Sequence, residues 1–162
     1  MHFRLRTAFI TATLMWNGSY SQAQTKPNPN LAPRCDLMAL NKFYISRLNE
    51  AHQRVNPTAP PVRFDRGLME GTLFHNRRLE RLDTIFHASC AENLAAEICL
   101  SLSPAETRDP LKLAEYVFAR FSASSHHSSI QMDLDYVWVC ASCTDNYCVI
   151  RLSGIRTLPA KK

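Results

Sequence analysis

Imidazoles and carboxylates gather in two short stretches of this chain. His87 ends the run Ile85-Phe86-His87, and Glu92 stands five residues later in Ala91-Glu92-Asn93-Leu94-Ala95. A second stretch, Ser124-Ser125-His126-His127-Ser128-Ser129-Ile130, sets two imidazoles side by side. Zinc takes imidazole nitrogen and carboxylate oxygen, so His87, Glu92 and one of His126 and His127 are candidate ligands for Zn²⁺. The same groups could serve as an acid and base pair. Spacing alone leaves open which of His126 and His127 faces the others. Ser124 and Ser125 stand beside the imidazoles, so a metal-assisted secreted hydrolase or protease is an alternative. No nucleophile elbow accompanies them.

Sulfur is the other reactive element. The six cysteines, Cys35, Cys90, Cys99, Cys140, Cys143 and Cys148, are even in number and read as up to three disulfides. Sequence does not choose among the pairings. Cys140-Ala-Ser-Cys143 is a CxxC, the spacing of a redox pair or of half a zinc site. It follows the strand-like Tyr136-Val-Trp-Val rather than opening a helix, and no second CxxC completes a zinc set. Structural disulfides are therefore the favoured reading.

Such groups need a folded frame to bring them together. A chain of 162 residues with 46% apolar and 20% charged residues has the make-up of one globular domain. P-loop and dinucleotide-loop patterns are absent. The net charge of +5 comes from scattered basic residues, which argues against a nucleic-acid partner. With no apolar run of about 18 residues, a transmembrane anchor is not expected. Residues 1–23 read as an export signal. Arg4 and Arg6 form its basic start, Thr7 to Trp16 its apolar core, and Ser21 and Ala23 flank the expected cut. Cleavage after Ala23 would remove two arginines, so part of the basicity belongs to the signal. The expected address is secreted or extracellular, or the periplasm if the cell is a Gram-negative bacterium.

Residues 24–34 hold three prolines and read as a flexible leader. From Asp36 to Val55 the apolar residues Leu37, Leu40, Tyr44, Leu48, Ala51 and Val55 recur at helical spacing, until Asn56-Pro57 ends the run. Val62 to Phe64 reads as extended. Asp65 caps a second helix over Arg66 to Leu82, with Leu68, Thr72, His75 and Leu79 on one face. His87 to Arg108 reads as loop, Asp109-Pro110 opens a third helix, and Ile130 sits in a short helical turn. Tyr136–Cys140 and Tyr147–Ser153 alternate with period two and form a hairpin about Thr144-Asp145-Asn146. Helices on both faces of so small a sheet give an α+β fold, an α-β-α sandwich around a small antiparallel sheet. The domain spans 35–154, and 155–162 is a polar, frayed tail.

In order and spacing these segments resemble the CAP superfamily: cysteine-rich secretory proteins, antigen 5 and plant pathogenesis-related 1 proteins, also called SCP/TAPS. The matching elements are Leu48-Asn49-Glu50, Pro61 to Leu68, the Phe86-His87 element 22 residues after Asp65, and Glu92-Asn93-Leu94-Ala95. Ala91 stands where the family usually has glycine, Phe121 where it has tryptophan, and no residue separates Phe86 from His87. The resemblance implies an extracellular, non-catalytic protein that binds a lipid, a sterol or an extracellular or host protein. It further implies a cavity shared by His87, Glu92 and His126 or His127, which holds zinc in some members, with Asp133 or Asp135 as a second acid. A disulfide-stapled structural module of another fold is the remaining alternative.

Overall fold

Among the described residues, three of the four helices begin on an aspartate whose carboxylate caps the first turn. Asp36 accepts from the Ala39 N–H and opens α1 (Leu37–Val55). Asp65 accepts from Gly67 and opens α2 (Arg66–Leu82), and Asp109 accepts from Lys112 and opens α3 (Pro110–Ser122). The fourth, α4 (Ser125–Gln131), is the short turn expected at Ile130. The computed structural model describes residues 33–88, 96–103 and 107–157.

Four strands form one sheet: β1 (Arg63–Phe64), β2 (Ala96–Ser101), β3 (Trp138–Cys143) and β4 (Tyr147–Ser153), in the order β1-β3-β4-β2. The fold is α+β, as the sequence implies. Two expectations are corrected. The sheet is mixed rather than antiparallel, because β1 runs parallel to β3, Arg63 opposite Trp138. The supposed loop from His87 to Arg108 contains β2, which pairs antiparallel with β4. Four consecutive residues of β2, Glu97 to Leu100, are buried, so no polar face marks the strand. Side-chain amides complete the pairing that β1 is too short to supply. Asn41 on α1 donates to the Ala141 carbonyl at 2.9 Å and accepts its N–H at 2.7 Å. Asn49 holds Val62 at both backbone groups in the same way.

Period-two alternation splits the sheet into two faces. Ile98, Leu100, Val139, Ala141, Ile150 and Leu152 face the layer of α1 and α3, where Leu40, Tyr44, Leu48, Leu113, Val117 and Phe121 complete the main core. The opposite face lies under α2 and is only partly apolar, around Leu79, Cys99, Tyr147 and Val149. The α-β-α layering thus follows from a strongly amphipathic helix on each side.

Among the described residues one disulfide forms, Cys143–Cys148, between directly paired positions of β3 and β4. Cys35, Cys99 and Cys140 are free thiols, which corrects the framework of three bridges; Cys90 lies outside the described residues. Cys99 and Cys140 share a sheet face but sit on β2 and β3 with β4 between them, opposite Val149 and Arg151, so more than about 9–10 Å separates them at the usual strand spacing, too far for a bridge. Cys35 packs on the opposite face. Residues three apart on a strand also point to opposite faces, so Cys140 and Cys143 are neither a redox pair nor half a zinc site.

Both expected borders shift slightly. Arg34 is buried and its backbone N–H donates to the Cys143 carbonyl, so the leader is tied down by that residue. The tail is docked as far as Thr157, whose N–H and hydroxyl both donate to Asp65 Oδ2 at 2.7 Å. No helix of the described residues is long and apolar enough to cross a membrane.

Candidate functional site

Alternation along β4 and β2 points two opposite charges at α2. Glu97 and Arg151 are directly paired across the two strands, with side chains 0% and 7% exposed. Arg151 Nε donates to Glu97 Oε2 at 2.9 Å. The other carboxylate oxygen is crowded by donors. Ala88 N–H donates to Oε1 at 2.9 Å, the Cys99 thiol lies 3.7 Å away, and His75 Nε2 approaches to 3.3 Å. Burial alone pushes the Glu97 carboxyl up. The Ala88 N–H, His75 and Arg151 together outweigh burial and hold it below the ordinary carboxylate range. Glu97 is therefore an ionised acceptor rather than a neutral acid.

His75 comes from the buried face of α2. Its Nε2 donates to the Phe86 carbonyl at 2.8 Å, while Nδ1 is buried without a partner. His75, Glu97 and Cys99 offer nitrogen, oxygen and sulfur atoms all within 4.8 Å of one another. Each is already committed within the protein: His75 to Phe86, Glu97 to Ala88 and Arg151, and the Cys99 thiol, pushed far up by burial and by Glu97, to that carboxylate. The cluster holds its own geometry and presents one carboxylate oxygen to the chain that leaves α2.

His87 occupies that position. Its Nδ1 lies 3.4 Å from Glu97 Oε1, yet its side chain remains 52% exposed. A carboxylate at Nδ1 favours the tautomer with the proton there and leaves Nε2 facing outward as a lone pair. His126 and His127 lie on α4, which Gln131 anchors: its side chain accepts from the Tyr44 hydroxyl at 2.7 Å and its backbone carbonyl accepts from His52 Nε2 at 3.0 Å. His127 packs edge-on against Phe121, centroids 5.3 Å apart. Burial, then His126, then His87 push its imidazole below the ordinary range. His127 is the half-buried member of the adjacent pair, while His126 is exposed.

Glu92 lies outside the described residues. Among the described residues neither Asp133 nor Asp135 forms an ion pair with His87, His126 or His127. Both are exposed, and Asp133 accepts the Asp135 N–H in a local turn. Among the described residues the acid that meets His87 is Glu97, which the sequence reading passed over together with Arg151. Their signal was available: one acid and one base at inward positions of two otherwise apolar runs, AEICLS and YCVIRLS.

No protein-family model and no curated protein matches the chain. Among solved structures it is similar to an outer surface protein from Borrelia burgdorferi, with a TM-score of 0.54 and 16% identity over 72% of this chain and 92% of that one. At that identity the likeness is one of fold alone.

Proposed function

We propose that this chain is an exported, non-catalytic binding protein of the CAP type, whose cleft takes a divalent cation between His87 and His127. The observation that carries this reading is His87, half exposed, with Nδ1 against the buried, ionised Glu97. Carboxylate, imidazole and open coordination position in a row are how proteins orient and sharpen a metal-ligating histidine. Depression of the His127 imidazole supports the same reading, because only the neutral ring ligates. Zinc would supply charge and a fixed coordination geometry for an extracellular partner. His87 and His127 would hold it, and Glu97 would orient His87 without ligating. The similar fold of an outer surface protein supports an address at or beyond the cell surface.

Binding rather than turnover is supported by the surrounding chemistry. Glu97 stays charged, and the Cys140 thiol is pushed up to about 12, mainly by burial. Among the described residues no serine hydroxyl hydrogen-bonds an imidazole nitrogen. Calorimetric zinc titration tests the proposal. His87→Ala and His127→Ala should each weaken binding at least about tenfold, some 1.4 kcal/mol, with the fold retained. Zinc affinity should also fall below about pH 6.5 as protons compete for the rings. Equal zinc binding by both variants and the wild type, or none by any, contradicts the proposal.

A further inference from the structure

Only the Nε of Arg151 is engaged by Glu97. The rest of its guanidinium makes no hydrogen bond among the described residues, although the side chain is 7% exposed. It borders a cavity of about 290 Å³ whose other walls, among the described residues, are Glu70, Gly71 and Phe74 of α2. Gly71 makes this placement possible, because a Cβ there would run into Arg151 Nη1. Glu70 forms no ion pair with Arg151 or any other described residue. Phe74 lays a ring that is 57% exposed along the opening. One cavity therefore presents the terminal nitrogens of a fork whose Nε is held by Glu97, a separate carboxylate and an aromatic face.

We propose that this cavity binds a small apolar α-amino acid as its zwitterion. The ligand carboxylate takes the one free edge of the Arg151 fork, formed by Nη1 and Nη2, which matches a carboxylate in geometry. Its ammonium group faces Glu70, and its side chain lies against Phe74. A simple anion would meet Glu70 and a simple cation would meet Arg151, so the pair selects a ligand that carries both charges close together. The volume lies just under the range of about 300–1,000 Å³ common for small-molecule sites, which suits a compact ligand. Glu70, Gly71 and Phe74 take no part in the His87–Glu97 contact, whereas Arg151 borders both sites through its bond to Glu97.

Thermal-shift and calorimetric titration of the intact protein with L-valine, L-leucine, L-methionine and L-phenylalanine tests it, with N-acetyl-L-leucine and L-leucinamide as probes lacking one charge each. At least one of the four amino acids should bind and raise Tm. Each blocked leucine should bind at least about tenfold more weakly than leucine, some 1.4 kcal/mol. Arg151 holds Glu97, so its replacement risks the fold. The exposed Glu70→Gln and Phe74→Ala are used instead, and each should weaken binding at least about fivefold while leaving zinc binding unchanged. No binding by any of the four, N-acetyl-L-leucine equal to leucine, or an unaffected Glu70→Gln would overturn the proposal.

Discussion

The two faces of the sheet use the same strands and hold opposite chemistry. Towards α1 and α3, β4 presents Cys148, Ile150 and Leu152, and the layer closes as an apolar core. Towards α2 it presents Tyr147, Val149 and Arg151, and the neighbouring strands add Glu97, Ser142 and two free thiols. The first face stabilises through area removed from water, which tolerates small changes of shape. The second contains a charge pair that gains little over an apolar pair of similar volume but fixes where each atom sits. A face of the second kind is suited to orienting a histidine at its edge.

The sharpest way to break this contrast is Glu97→Ala. It strands the Arg151 guanidinium in a buried site and removes the acceptor of the Ala88 N–H. The expected loss is about 3–5 kcal/mol, read from urea unfolding. Replacing both partners, as in Glu97→Leu with Arg151→Met, should recover most of that loss. A double variant no better than the single one would mean that the pair does not organise this face. On the opposite face Ile150→Val removes one methylene from the core and should lower stability by about 0.5–1.5 kcal/mol. It should leave zinc binding unaltered. A change in zinc affinity there would erase the distinction between the faces.

Much of this contrast was legible in the sequence, and the illegible part has a physical cause. Helix periodicity and aspartate caps place α1, α2 and α3 within a residue or two, because each helix shows one apolar stripe to the core. The β3–β4 hairpin follows from alternation. Strand β2 was hidden because burial on both faces removes the alternation. Of the site, His87 and the His126-His127 pair could be named from residue type, but that His127 is the more buried of the two follows only from packing against Phe121. Glu97 was missed because its role depends on Arg151, 54 residues away in sequence. A cross-strand partner at that distance leaves no local pattern.

The smallest expected effect is on pH dependence, and it also separates the faces. Glu97 is depressed in the folded state, so its contribution is present above the ordinary value of 4.5 and is lost as pH falls through the lower folded value. His127 is depressed below 6.5, so the unfolded chain takes up that proton first and acid again favours unfolding. Both terms make stability fall with pH. His127→Gln should flatten the slope below pH 6.5, whereas Ile150→Val should lower the whole curve without changing its shape. Stability that rises as the pH falls from 6.5 would contradict the His127 assignment, and stability that rises as it falls below 4.5 would contradict that of Glu97.

The central claim is that the polar face ends in an imidazole cleft that holds a divalent cation. Anomalous diffraction at the zinc edge from zinc-soaked crystals tests it most directly. The account predicts one ion about 2.0–2.1 Å from a nitrogen of His87 and from a nitrogen of His127, with Glu97 still on His87 Nδ1. Anomalous density that avoids both imidazoles, or none at all at saturating zinc, would contradict it.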